Sequence, residues 1–283
     1  MRRWLSVLLT MVAVGACAGP SDQPGPRPVS SPSSVAERPS ATPTTSSPAR
    51  PTRSSAAPPT TTTAEVRQAV VVLDPGHNGG NAAVPEEINQ PVPAGRGNTK
   101  PCNTTGTASN DGYPEHAFTF DVSQRVRRLL QQHGVTVVMT RNSDDGVGPC
   151  VNRRAAIGNQ HRADAVVSIH ADGNTNASAR GFHVSYSAPP LNAAQGQPSI
   201  RLARTMRDAL QDADFPVSSY LGSDGLAPRA DLAGLNLSRR PAVLVECGNM
   251  RNPEEAAAMR RASGRQAYAE AIADGVLRYL GLS

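Results

Sequence analysis

The sequence is poor in aromatic residues. They make up 4% of its 283 residues, and none lies between Trp4 and Tyr113. Residues 20–63 are dominated instead by Pro, Ser, Thr and Ala. A segment of this composition cannot bury enough apolar surface to offset the entropy that it loses on ordering. We therefore predict a disordered tether over residues 18–65 and one folded domain over residues 66–283, a length that supports a full core.

The sequence also lacks a stripe of Arg and Lys interleaved with aromatic residues, the pattern typical of nucleic-acid binding. The formal net charge is only +5, and two of the arginines lie at the extreme N-terminus. A modest basic surface suits an anionic cell wall. We predict no nucleic-acid partner.

No hydrophobic run near the N-terminus is long enough to span a bilayer. The apolar segment 5–14 follows two arginines, which is typical of a signal peptide, here predicted over residues 1–17. We expect an exported protein of the periplasm or cell wall. Val14-Gly15-Ala16-Cys17 also matches a bacterial lipobox, which makes Cys17 a candidate lipidation site and anchor to the outer face of the cytoplasmic membrane. An ordinary cleavage site before a cysteine is the alternative, and both interpretations stay open.

Cysteines are few, and three of the four lie in the predicted domain. Cys102 and Cys150 lie in Gly- and Pro-rich loops, whereas Cys247 directly follows an apolar strand. Three pairings are open to them. Because loop cysteines pair in an oxidising compartment, we predict a Cys102–Cys150 disulfide and a free, buried Cys247.

Three short apolar runs each lead to a side chain that can bind a metal or transfer a proton. Residues 70–73 lead through Asp-Pro-Gly to His77, residues 165–169 lead to His170, and residues 242–245 lead to Glu246. Runs this short and rich in β-branched residues predict buried strands. Ligand sites of open α/β sheets lie at the carboxyl ends of strands, so we expect these three side chains to meet.

Glu115 opens a predicted helix, on the same face as the apolar residues Phe118, Val122 and Val126. A carboxylate in the first turn is often a cap, since negative charge is favoured there. A cap normally points to solvent, whereas Glu115 points toward the sheet. A buried carboxylate needs a strong partner, and a metal cation is one.

The remaining pattern alternates strands and helices. It predicts an α/β fold with a single domain, a mostly parallel central sheet and helices on both faces. Residues 78–114 are rich in Gly and Pro and are interpreted as one long loop, and residues 216–228 as irregular. A loop of that length is usually functional, and we expect its segment 92–99 to cover the cleft.

Two imidazoles and one carboxylate form a common ligand set for catalytic zinc, with a fourth position left for water. His77, Glu115 and His170 supply that set and predict one Zn²⁺ per chain. Zinc lowers the pKa of bound water from 15.7 to about 7. Glu246 is assigned to proton transfer, as general base and then general acid.

Several motifs in order resemble one family. They are Leu73-Asp74-Pro75-Gly76-His77, Glu115 opening a helix, Arg154 followed by Asn159, Ser168-Ile169-His170-Ala171, and Pro241-Ala242-Val243-Leu244-Val245-Glu246. Together they resemble the zinc-dependent N-acetylmuramoyl-L-alanine amidases of bacterial cell walls. The run Glu246-Cys247-Gly248-Asn249-Met250 with Asn252-Pro253 is most similar to the mycobacterial type.

The resemblance implies that His77, Glu115 and His170 bind one zinc and that Glu246 is the catalytic base and acid. The substrate would be peptidoglycan or its muropeptide fragments, cleaved between the lactyl group of N-acetylmuramic acid and L-alanine. We expect a monomer.

Two alternatives remain at this point. One is another zinc hydrolase of the wall, a carboxypeptidase or a deacetylase, and the other is an inactive wall-binding lipoprotein. A serine triad is disfavoured, because Ser168 lies within a buried strand and no Gly-x-Ser-x-Gly motif exists. His116, His133, His161 and His183 are interpreted as ordinary core or surface histidines.

Overall fold

A computed structural model describes residues 67–176 and 178–283. The signal peptide and tether predicted over residues 1–65, with Cys17, lie outside the described residues. None of the helices in the described part combines the length and apolarity needed to cross a membrane.

The described chain forms the predicted α/β fold around a six-stranded sheet. The strands of the chain are β1 (Val70–Pro75), β2 (Pro91–Gly95), β3 (Asn98–Pro101), β4 (Thr136–Met139), β5 (Ala165–Asp172), β6 (His183–Ser187), β7 (Leu226–Arg229) and β8 (Ala242–Asn249). The order in the main sheet is β4-β1-β5-β8-β6-β7, and β2 and β3 form a separate pair. Four of the five neighbouring strand pairs of the main sheet are parallel, and the β6–β8 pair is antiparallel. The sheet is therefore mostly parallel.

Helices cover both faces of this sheet. They are α1 (Pro85–Ile88), α2 (Glu115–Gln132), α3 (Val151–Gln160), α4 (Gln197–Asp212), α5 (Ala233–Asn236), α6 (Pro253–Arg260) and α7 (Ala262–Leu280). On one face α2, α4 and α7 bury side chains such as Phe118, Met206 and Ile272 in one large cluster with the sheet. On the other face a small cluster with α3 and α5 contains Val166, Leu235 and only three further buried side chains. Burial on the first face therefore supplies most of the hydrophobic stabilisation.

The small cluster leaves part of the second face unfilled. Strand side chains alternate between faces, so Val166, Ser168 and His170 of β5 share this face with Leu244 and Glu246 of β8. All five line one cavity of about 350 Å³. The fold thus provides an apolar floor that leads to the carboxyl ends of the central strands.

The interpretation of residues 78–114 as one irregular loop was wrong. The segment contains a short 3-10 helix, Asn81–Ala83, then α1 and the antiparallel hairpin of β2 and β3. Several prolines hide this hairpin from sequence analysis, because Pro cannot donate to a ladder and is tolerated only where no neighbour needs its N–H. Strand β7 was also missed, since its first three residues lie within the range 216–228 that was interpreted as irregular.

The predicted disulfide is confirmed: Cys102 and Cys150 are bonded, and Cys247 is a buried free thiol. The bond joins the end of the β2–β3 hairpin to the start of α3. It closes a loop of 48 residues and so fixes the hairpin to the domain.

Candidate metal centre

His77 lies just beyond the end of β1. The amide of Gly76 donates to the carbonyl of Ile169 at 2.9 Å, which continues the sheet pairing for one more residue. His77 itself has a φ of 60°, in the left-handed region that few residues other than glycine adopt. Its Nδ1 lies 3.1 Å from the carbonyl oxygen of Thr104, so its other ring nitrogen, Nε2, points to the centre of the site.

Sheet register brings His170 beside Glu246. The two residues are direct partners on the parallel strands β5 and β8. Direct partners project from the same face, so both side chains lie on the cavity side. The two strands therefore deliver a ligand candidate and a proton-transfer candidate to one place.

Glu115, the first residue of α2, lies between the two imidazoles. Its Oε2 is 3.1 Å from Nε2 of His77, and its Oε1 is 3.0 Å from Nδ1 of His170. The amides of Thr107 and Ala171 also donate to it, at 2.9 and 3.2 Å. Its side chain is only 5% exposed, which bears out the expectation that it points inward.

The donor atoms of His77, Glu115 and His170 all lie within 4.8 Å of one another. Tetrahedral ligands at about 2.1 Å from a zinc ion are roughly 3.4 Å apart. The two histidine-to-glutamate separations fall slightly below that value, so a small outward movement would admit an ion. Two nitrogens and one carboxylate oxygen are also the donor set that zinc takes in hydrolases. The residues fit the metal.

Two glycines allow this close approach. A Cβ on Gly76 would lie 2.3 Å from Cε1 of the His170 ring, and one on Gly106 would lie 2.8 Å from Oε2 of Glu115. Gly106 also has a φ of +78°, which disfavours any side chain. Larger residues at either position would displace the candidate ligands.

Comparisons with known proteins agree with this arrangement. Residues 71–278 match the family model described as N-acetylmuramoyl-L-alanine amidase. The chain is 52% identical to N-acetylmuramoyl-L-alanine amidase Rv3717 of Mycobacterium tuberculosis, over 77% of this chain and 89% of the relative. It is equally identical to the crystal structure of the amidase Ami1 from Mycobacterium smegmatis, with a TM-score of 0.74 over 78% of this chain and all of that one. The apo form of Ami1 from Mycobacterium abscessus is 52% identical with a TM-score of 0.72, over 75% of this chain and 98% of that one.

This chain belongs to the N-acetylmuramoyl-L-alanine amidase family. It is an enzyme of that class, and its similarity to mycobacterial amidases confirms the resemblance recognised in the motifs. The match covers the domain that carries all four candidate site residues of the amidase.

In the ligand candidates of this amidase, the opposite charges of Glu115 and the imidazoles shift each other's pKa values. Burial alone raises the pKa of Glu115, but the imidazoles of His77 and His170 outweigh it and lower that pKa below its usual value. Burial lowers the pKa of His77, whereas Glu115 beside it raises the pKa above the usual value. Glu115 is therefore ionised, which is the form that binds a cation.

The pKa of Glu246 is shifted in the opposite direction to that of Glu115. Burial, followed by the nearby carboxylates of Glu115 and Asp172, raises its pKa well above the usual value. Its Oε2 is buried without a hydrogen-bond partner among the described residues. Two carboxylates in one site, one held ionised and one inclined to take a proton, are the pairing expected of acid-base chemistry.

His183 lies beside Glu246 on the other side, and its burial agrees with its interpretation as a core histidine. The two are direct partners on the antiparallel strands β6 and β8. His183 is 1% exposed, burial lowers its pKa to about 4, and its ring is edge-on to Tyr220. No local sequence pattern indicates that His183, the first residue of β6, would face Glu246. Antiparallel pairing brings the start of β6 to the carboxyl end of β8.

Asp74 lies near the end of β1, directly before Pro75. It accepts hydrogen bonds from Arg154, Thr140 and Ser168 at 2.8, 2.6 and 2.7 Å. Arg154 also donates to the carbonyl of His77 at 2.9 Å. These residues support the backbone that carries His77.

Proposed function

We propose that this protein is a zinc-dependent amidase that hydrolyses the bond between the lactyl group of N-acetylmuramic acid and L-alanine in peptidoglycan or its fragments. The observation that carries the proposal is the meeting of His77, Glu115 and His170 within 4.8 Å, in the cavity that Glu246 also lines. The relatives are named as N-acetylmuramoyl-L-alanine amidases, and this supports the choice of the scissile bond.

His77, Glu115 and His170 would hold one zinc ion. A zinc ion bound there supplies a Lewis acid that polarises the scissile carbonyl and makes water a better nucleophile at neutral pH. The hydrogen bond of His77 Nδ1 to Thr104 and the amides on Glu115 keep the donor atoms oriented. Such outer contacts raise metal affinity and fix ligand geometry.

Glu246 is the proton carrier. Because its carboxylate is buried and its pKa is raised, it accepts a proton from the attacking water more readily than an exposed glutamate does. It then donates that proton to the departing amine of L-alanine. Cleavage of an amide requires both transfers, because an unprotonated amine is a poor leaving group.

We also propose that the protein is exported. A signal peptide over residues 1–17, a tether over residues 18–65 and a catalytic domain over residues 66–283 would place a monomeric enzyme at the wall. The Cys102–Cys150 disulfide supports this location, since disulfides persist in oxidising compartments. Lipid attachment at Cys17 is tested by comparing the mass of the mature N-terminus with that of a Cys17→Ser variant.

The decisive experiment compares the zinc-loaded and the chelator-treated protein on muramyl dipeptide and on longer muropeptides, with mass analysis of the products. We expect a peptide with a free L-alanine amine from the loaded protein only. Release of D-alanine or acetate would point instead to a carboxypeptidase or a deacetylase. Absence of any product would favour a binding protein.

A further inference from the structure

Lys100 is the only lysine of the 283-residue chain. It lies in β3 of the hairpin and lines the cavity that contains His77, Glu115, His170 and Glu246. Its side chain is half-buried. A cation so placed lies in the wall of the cavity that contains the candidate metal centre.

The ammonium group of Lys100 forms no close ion pair with a carboxylate in the described chain, although after Arg229 its charge also helps to lower the pKa of Asp231. Its Nζ donates to the backbone carbonyl of Asp231 at 3.3 Å, and no carboxylate oxygen of residues 67–176 or 178–283 lies within 4.0 Å. The carboxylate of Asp231 is itself held by Arg229 in a two-pronged pair at 2.7 and 2.6 Å. Lys100 thus makes one hydrogen bond and can donate further bonds to an anion that enters the cavity.

The other permanent cation of the cavity is already occupied. Arg154 donates to Asp74, to the carbonyls of Pro75 and Pro149, and to the carbonyl of His77. It is 5% exposed. An incoming carboxylate would therefore meet Lys100 rather than Arg154.

The hairpin that carries Lys100 is anchored. Arg96 lies in the turn between β2 and β3 and donates to Asn236 and Ser187, each at 3.1 Å. Asn236 in addition donates to the carbonyl of Ala94 at 3.1 Å. The Cys102–Cys150 disulfide fixes its other end. A cation on a fixed element binds with less loss of entropy than one on a mobile loop.

We propose that Lys100 is a specificity-determining residue that binds a carboxylate on the peptide half of the substrate. The inference rests on the proposed function. In that substrate the carboxyl of N-acetylmuramic acid is consumed in the scissile amide, so a carboxylate near the bond must come from the peptide. Lys100 thereby sets the direction of binding: the peptide runs toward the hairpin and over the apolar floor formed by Val166 and Leu244.

The test uses a muramoyl dipeptide with free carboxylates and the same compound with every carboxylate amidated. The wild-type protein should cleave the acid about tenfold more efficiently, in kcat/KM, since a charge-assisted hydrogen bond is lost with the amide. Lys100→Met should remove that preference by raising KM for the acid and leaving the amide unchanged. Lys100→Arg should retain part of it.

Arg128→Met is the matched control, because it removes one positive charge from an exposed position of α2 outside the cavity. It should leave the preference intact. An equal loss on both substrates in Lys100→Met would indicate a structural role only, and an unchanged preference would remove any role. Either result overturns the proposal.

A second measurement separates this proposal from the proposed function. Because the chain has one lysine, mass spectrometry of its peptides after digestion measures acylation of Lys100 by an amine reagent separately from that of the N-terminal amine. The acidic dipeptide, without its sugar, should slow that acylation about tenfold more than its amide does. If the wild-type protein cleaves neither muramoyl compound, the proposed amidase activity fails, and this comparison still decides whether Lys100 binds a carboxylate.

Discussion

Arg154 and Asp74, both buried residues, form an ion pair of 2.8 Å at the carboxyl end of β1. Burial raises the pKa of Asp74, but Arg154 and the hydroxyls of Thr140 and Ser168 outweigh it and lower that pKa to about 2. The pair therefore favours the charged form, and it supports the backbone from which His77 projects.

Asp74→Asn should reduce stability in a pH-dependent way. A carboxylate whose pKa falls from 3.8 in the unfolded chain to about 2 in the folded one contributes about 2 kcal/mol at neutral pH. The contribution is complete above about pH 4 and is lost as the pH falls through about 2. Urea unfolding of wild type and variant at pH 7 and at pH 2.5 checks this, and we expect the difference in unfolding free energy to shrink at the lower pH. A constant difference would contradict the assignment.

Gly76→Ala should weaken metal binding. The added Cβ would lie 2.3 Å from the His170 ring, so the imidazole must move away from Glu115. Displacement of a ligand by a neighbouring contact typically costs 10- to 100-fold in metal affinity. Competition with a fluorescent zinc chelator measures the loss. Gly146→Ala is the control, because no atom lies within 4 Å of its Cβ and its φ is not positive.

His77→Ala should lose zinc and activity together, since only two donors of the group remain. Elemental analysis after dialysis measures zinc per chain, and we expect about one for wild type and close to none for the variant. His133→Ala, a change at an exposed histidine at the end of α2, should keep both. Full zinc content in His77→Ala would remove this residue from the ligand set.

Glu246→Gln should separate chemistry from metal binding. The amide keeps the size of the side chain but cannot carry a proton, so kcat should fall by about 10²- to 10⁴-fold while zinc content stays the same. Glu254→Gln, at an exposed position in the first turn of α6, is the matched control. Near-normal turnover in Glu246→Gln would assign proton transfer to another group.

Sequence patterns anticipated the parts of this protein that depend on local periodicity. Strands β1, β5 and β8 are short apolar runs, and the parallel arrangement follows from the helices between them. The inward position of Glu115 was also visible, because a helical stripe continues through Phe118. Each of these features is encoded within about ten residues.

The features that sequence analysis missed depend on contacts between distant residues. The β2–β3 hairpin owes its place to Arg96, which bonds to Ser187 and Asn236 about 90 and 140 positions away. His183 meets Glu246 only because β6 runs antiparallel to β8. No local pattern specifies such a partner, so these two arrangements emerge only from the folded chain.

Reduction of the Cys102–Cys150 disulfide should destabilise the domain. In the chain-entropy model a closed loop of 48 residues lowers the entropy of the unfolded state by an amount equivalent to about 4 kcal/mol. A Cys102→Ser/Cys150→Ser variant should therefore unfold at lower urea concentration, and the hairpin that carries Lys100 should become accessible to protease before the sheet does.

Cys247→Ser serves as the comparison, since that thiol is buried and unpaired and forms no cross-link. Because the disulfide joins the hairpin to α3, whereas the ligand candidates lie just beyond β1, at the start of α2 and on β5, the double variant should retain zinc binding below its unfolding transition. Simultaneous loss of zinc and of hairpin protection would instead show that the hairpin and the metal centre form one cooperative unit.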